Sequence, residues 1–105
     1  MMLLKFKDGV VVSKQAIIAA ATINAANVLG LEGHLVVTSG HDSVHGPHSK
    51  HYTDEALDFR TKTFSTAEKH ALLRAAQARL GGDYDALLED EGGLQEHLHV
   101  EYDPV

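Results

Sequence analysis

The chain has 105 residues, no cysteine, 44% apolar and 23% charged residues, and a formal net charge of −6 at pH 7. Such values fit one globular domain spanning residues 1–105 and favour neither a disordered nor a fibrous chain, and the lack of cysteine excludes disulfides, thiolate metal sites and a cysteine nucleophile. The nine basic residues are scattered, whereas a surface that tracks phosphates needs them clustered, so no nucleic-acid partner is expected.

In chain order, Met1 to Leu4 is too short for a signal-peptide core, and no run approaches a membrane span. A cytosolic chain as synthesised, with no membrane partner, is therefore expected. Residues 3–12 read as a short extended pair around the tight-turn dipeptide Asp8-Gly9. Ser13 suits a helix N-cap, and an alanine-rich helix is expected from Lys14 to about Leu29. Its predicted inner face carries Ile17, Ile18, Ala21, Ala25, Val28 and Leu29, and Gly30 ends it. Leu35-Val36-Val37-Thr38 reads as a core strand stopping at Ser39-Gly40.

Residues 41–54 are polar and contain Gly46-Pro47, which predicts a surface loop. Glu55 to Arg60 alternates as a strand, with Leu57 and Phe59 on one face and Ala56, Asp58 and Arg60 on the other. Ser65-x-x-Glu68 has the form of a capping box opening a second helix, closed at Gly81-Gly82. Tyr84 to Leu88 suits another strand, followed by an acidic turn at 89–93. A last strand over His97 to Tyr102 turns Leu98 and Val100 inward and His97, His99 and Glu101 outward. The expected class is α+β, two helices against a small, mostly antiparallel sheet.

Seven of the eight histidines fall within 34–51 and 97–99. Without cysteine, any metal must sit on imidazole and carboxylate, a donor set that suits zinc and other divalent ions. A catalytic zinc needs three protein ligands, preferably on rigid elements, and one open position for water. Asp58 and His99 stand on the polar faces of predicted strands, and His51 ends the loop that leads into the first of them. Gly46-Pro47 prevents a helix that would align His41, His45 and His48, so these three read mainly as outer partners of a metal or as substrate-facing, with a loose chelating tract or a solvated loop as the alternatives. His34 and His70 read as surface residues.

Ser49-Lys50-His51-Tyr52-Thr53-Asp54-Glu55-Ala56-Leu57-Asp58 resembles the S-x-H-x-x-G-x-A-x-D motif of peptidase family M15, the zinc D-Ala-D-Ala carboxypeptidases and L-alanyl-D-glutamate endopeptidases. Glu96-His97-Leu98-His99 is similar to the family's E-x-x-H element, and Val37 to Gly40 to the segment ahead of the first motif. The likeness runs in order over roughly residues 13 to 103. It implies the Hedgehog/DD-peptidase fold, a Zn2+ cofactor held by His51, Asp58 and His99, and Glu96 as the catalytic carboxylate with His97 supporting the transition state. By strand alternation alone Glu96 would point away from His99, which keeps Glu101 as a competitor for the base.

Asp54 stands at the motif's glycine, and His41-Asp42-Ser43 stands where many relatives carry an arginine that binds the substrate carboxylate. Ser39, His41 and Arg60 are the substrate-binding candidates, with Arg60 as a replacement for that arginine. The resemblance implies a metallopeptidase acting on peptidoglycan stem peptides, reaching the cell wall after holin- or lysis-mediated release as small phage endolysins do. A catalytically silent zinc-binding domain, such as a structural part of a phage particle or a binding module, and a histidine-rich protein for metal storage or sensing are the alternatives. No oligomeric state follows from the sequence.

Overall fold

A computed structural model describes residues 3–10, 14–25, 34–39 and 56–102. Its elements are β1 (Leu3–Phe6), α1 (Lys14–Ala25), β2 (His34–Ser39), β3 (Ala56–Arg60), α2 (Thr66–Leu80), β4 (Tyr84–Glu89) and β5 (His97–Tyr102). Among the described residues the strands form one five-stranded sheet in the order β1-β2-β3-β5-β4. The β1–β2 pair is parallel and the other three pairs are antiparallel. The α+β class and the mostly antiparallel sheet are as expected.

Both helices lie on one face of this sheet. Leu35, Val37, Leu57, Phe59, Leu98 and Val100 from the strands meet Ala19, Ala20 and Ile23 of α1 and Leu72 and Ala76 of α2 in one buried cluster. Each large aliphatic or aromatic side chain so buried contributes roughly 2 kcal/mol of transfer free energy. Because strand side chains alternate, burying this set turns Asp58, His97, His99 and Glu101 to the other face. No helix among the described residues is long and apolar enough to cross a membrane.

Near the N-terminus the structure adds a strand pairing and corrects the expected face of α1. Among the described residues β1 pairs with β2, in parallel, Leu4 opposite Leu35 and Phe6 opposite Val37; residues 11 and 12 of the expected extended pair lie outside the described residues. Asp8-Gly9 is still a turn, closed by the Val10 N–H on the Lys7 carbonyl at 3.2 Å with Gly9 at φ +86°, but it leads into α1. The β1-α1-β2 crossover lays α1 across the sheet and seals the core.

The inner face of α1 is also different. Ala19, Ala20 and Ile23 are buried, whereas Ile17 and Ile18 remain about half exposed, at 49% and 48%. In a helix that is apolar nearly all round, periodicity selects no unique face, and small alanines permit the closest approach. Residues 26–29 of the predicted helix lie outside the described residues.

α2 begins as its sequence predicts. The Glu68 N–H donates to Ser65 Oγ at 3.1 Å, and the Ser65 N–H donates to Glu68 Oε1 at 2.8 Å, a reciprocal capping box. Between β4 and β5 the chain turns through Asp90 at φ 50° and Gly92 at φ 81°. A Cβ on Gly93 would collide with the Asp90 carboxylate, which accepts the Gln95 N–H at 2.9 Å.

Glu96 follows this turn and is buried against α2. Thr61 Oγ1 donates to its Oε2 at 2.6 Å, while Lys69 Nζ and the Gly92 N–H donate to Oε1 at 2.6 and 2.9 Å. Hydrogen bonds from Lys69, then Thr61, then Gly92 outweigh burial and hold this carboxyl well below the usual range, at about 2. Its stabilising contribution is therefore present above the unfolded value of about 4.5 and is lost as pH falls through about 2. Glu96→Gln, which strands the charge of Lys69, is expected to cost roughly 2 kcal/mol at neutral pH. Its deficit in Tm should shrink as both proteins are melted at progressively lower pH from 5 to 2. A deficit that stays constant over that range would show that the ionised carboxylate is not what braces the turn.

Candidate metal centre

β5 is an inner strand, with β3 on one side and β4 on the other. Its outward residues are His97, His99 and Glu101, half-buried in the sheet face. Register sets Asp58 of β3 opposite His99 and Arg60 opposite His97. On the other side Glu89 of β4 stands opposite His97 and Leu87 opposite His99. Directly opposed side chains on one face lie close enough to bond, and long ones reach the diagonal neighbour.

Asp58 Oδ1 lies 2.9 Å from His99 Nδ1 and 3.6 Å from His97 Nε2. Asp58, His97 and His99 offer one ligand atom each within 4.8 Å of one another, a group able to hold a metal ion. Metal bonds of about 2.1 Å at tetrahedral angles would separate donor atoms by about 3.4 Å, and the two measured separations straddle that value. One carboxylate oxygen and two imidazole nitrogens also make a donor set chemically fit for a divalent cation.

The outer nitrogens of both rings are engaged. His97 Nδ1 is 2.7 Å from the Gln95 carbonyl oxygen, which can only accept, so Nδ1 carries a proton and Nε2 faces Asp58. His99 Nε2 is 2.9 Å from Glu101 Oε1. Metal-binding imidazoles characteristically donate their second N–H to a carboxylate or carbonyl, which fixes tautomer and ring orientation. Glu101 is thus placed as the partner that orients His99.

Burial alone would lower the His99 imidazole. Hydrogen bonds to Asp58 and Glu101, with the charges of Asp58 and Glu89, outweigh burial and raise it to about 9.

The structure brings together only part of the expected site. Asp58 and His99 meet, and His97 joins them. Arg60 is exposed on the same face, and Ser39 ends β2 opposite Asp58, past a register shift after Val37. His51 and His41, with His45, His48 and Asp54, lie outside the described residues. Glu96 is not brought to the group, because alternation sends it to the α2 side, where Thr61, Lys69 and Gly92 occupy it. His34 is exposed, and His70 pairs with Glu91 at the surface, 2.7 Å away.

Sequence reasoning missed Glu89, whose Oε1 is 3.2 Å from His97 Nε2 and 3.6 Å from His99 Nδ1. Reading 89–93 as a turn hid that Glu89 is the last residue of β4. No protein-family model matches the chain, and no curated protein matches it.

In metal-free protein at pH 7, His99 should carry protons on both ring nitrogens and titrate near pH 9 by NMR. Since that value exceeds the ordinary 6.5, its contribution to stability is full below about pH 6.5 and is lost as pH rises through about 9. A His99 ring that titrates near 6.5 in metal-free protein would contradict the bonding to Asp58 and Glu101.

Proposed function

We propose that this protein is a zinc-dependent peptidase acting on peptidoglycan stem peptides, with Asp58 and His99 at the core of its metal centre. The observation that carries this reading is the pairing of Asp58 with His99. They are 41 residues apart in the chain, yet they face each other in register with donor atoms 2.9 Å apart. These same two residues close the ordered motifs that resemble family M15, S-x-H-x-x-G-x-A-x-D and E-x-x-H, in the chain's own order.

A zinc ion held there supplies a Lewis acid and lowers the pKa of its bound water toward neutrality. Asp58, His97 and His99 offer the donors on the open sheet face, and Glu101 fixes the orientation of the His99 ring. In the resemblance His51 is a further ligand. Arg60, exposed opposite His97, offers a guanidinium to a substrate carboxylate, a task that planar bidentate donors perform well. Glu96 is a poor proton acceptor, with three donors on its carboxylate and a pKa near 2, so its weight in this reading is structural.

That engagement of Glu96 favours one second reading, a metal-binding domain of the same kind without peptidase activity. The experiment that separates the two is digestion of defined muropeptides followed by mass spectrometry, with metal content measured on the same sample. The peptidase reading expects new peptide termini from zinc-loaded protein and none after chelation. Asp58→Ala is expected to lose both bound metal and cleavage, a fall of at least about 10²-fold in rate. Glu96→Gln, assayed well below its own Tm, is expected to keep most of its turnover. Stoichiometric zinc with no new termini would leave the silent domain as the function.

A further inference from the structure

The Glu89 carboxylate is not used by the reading above, nor does the resemblance to family M15 assign it. We infer that Glu89 is a fourth donor of the metal centre, so that Asp58, His97, His99 and Glu89 form a complete divalent-cation site on three adjacent strands. This rests on the metal reading above, but not on peptide cleavage.

Register supplies the geometry. On β5 the two imidazoles stand side by side, flanked by Asp58 of β3 and Glu89 of β4. Asp58 directly opposes His99, and Glu89 directly opposes His97; each carboxylate reaches the other ring on the diagonal. The direct separations are 2.9 and 3.2 Å, and both diagonal ones are 3.6 Å. Two oxygens thus face the same two nitrogens, Nε2 of His97 and Nδ1 of His99. These four imidazole–carboxylate separations lie near the roughly 3.4 Å expected between neighbouring donors with bonds of about 2.1 Å; Asp58, His97 and His99 are the group whose donors are all mutually close, and Glu89 joins it through the two imidazoles.

Two further features fit a cation at that point. The outer nitrogens are bonded to the Gln95 carbonyl and to Glu101, so both inner nitrogens are aimed by bonds outside the site. Asp58, Glu89 and Glu101 together also place three carboxylates around two imidazoles. Even with His99 protonated, that leaves negative charge in a partly buried face, which a divalent ion would offset.

The donors are not equally enclosed. The side chains of His99 and Asp58 are 12% and 14% exposed and that of His97 is 26% exposed, against 43% for Glu89. Glu89 also sits at the end of β4, the sheet's edge strand among the described residues. It is therefore the donor able to give way to water or substrate while the other three stay in place. A resting site closed by four protein donors would then open by exchange of a single carboxylate.

Cobalt(II) substitution tests this directly, because its visible absorption is intense in four-coordinate sites and weak when water raises the coordination number. Full-length wild type, Glu89→Gln, Glu89→Ala and His70→Ala are titrated with cobalt(II), and zinc affinity is read by competition with a chromophoric chelator. Circular dichroism confirms that each variant is folded. The expectation is one cobalt per wild-type chain with strong absorption. Both Glu89 variants should show an absorption band altered in position or intensity, as water takes the vacated place, and lose at least about tenfold in zinc affinity, the smallest effect expected when even an outer partner of a ligand is removed. His70→Ala, at a surface histidine paired with Glu91, should resemble wild type in both readouts.

Wild-type absorption and affinity in the Glu89 variants would overturn the inference, as would loss of the metal in His70→Ala. A wild type that binds no cobalt or zinc would overturn it together with the metal reading. If the Glu89 variants behave as expected while muropeptides stay intact, the peptidase reading falls and the fourth donor stands.

Discussion

The antiparallel pairing of β3 with β5 is the constraint on which the rest of the molecule depends. Five consecutive register pairs join these strands, from Ala56 with Glu101 to Arg60 with His97. Alternate members of each strand face opposite ways, so one register sets two things together. Leu57, Phe59, Leu98 and Val100 enter the helix-covered core, while Asp58 meets His99 on the open face. A slip of one residue would send Leu98 and Val100 to water and bury the imidazoles under the helices. Burial of the apolar set, worth several kcal/mol in total by transfer, therefore also enforces the geometry of the polar cluster. The site needs no interaction of its own to select its register.

The same alternation explains why two acidic neighbours of the histidines have unrelated environments. Glu96 precedes His97 by one residue and so faces α2, where Lys69 and Thr61 hold it ionised. Glu101 follows His99 by two and shares its face, within 2.9 Å of Nε2. An E-x-x-H spacing puts its two functional residues on one face of a helix but on opposite faces of a regular strand. The strand here begins at His97, and the turn at 90–93 delivers Glu96 already pointed inward.

Legibility in the sequence followed the range of the interaction. The capping box at Ser65 and Glu68 is a contact across three residues and was readable from the types alone. So was the period-2 pattern of β5, which singled out His97 and His99 as outward. Asp58 and His99 were readable as partners only through the ordered motifs, since nothing local in Leu57-Asp58-Phe59 distinguishes a ligand from a solvated carboxylate. The parallel pairing of β1 with β2 was not legible, because Asp8-Gly9 is equally a hairpin turn and a turn into a helix. The choice is made by distant burial of Ala19, Ala20 and Ile23. The face of α1 failed for a related reason: where isoleucine and alanine surround the helix, the sheet and not the pattern decides which residues go inside. Glu89 was hidden twice, by its place at a strand end and because its neighbours in space come from the β4–β5 register.

Placing a polar cluster on the uncovered face of a two-layer fold has an energetic consequence. Three carboxylates and two imidazoles in partial burial repel or bond one another according to protonation, and the proton on His99, favoured by its bonds to Asp58 and Glu101, is a counter-charge among them. A divalent ion would replace that proton with a stronger charge at the same point, so metal binding and the titration of His99 draw on the same electrostatic imbalance. A cation that binds only the folded arrangement of β3, β4 and β5 must also stabilise it, by an amount that grows with the logarithm of its concentration above Kd. The strands most affected would be β5 and the edge strand β4, the latter joined to the sheet on one side only among the described residues. The ion would thus act on the fold through the pairing that builds its site.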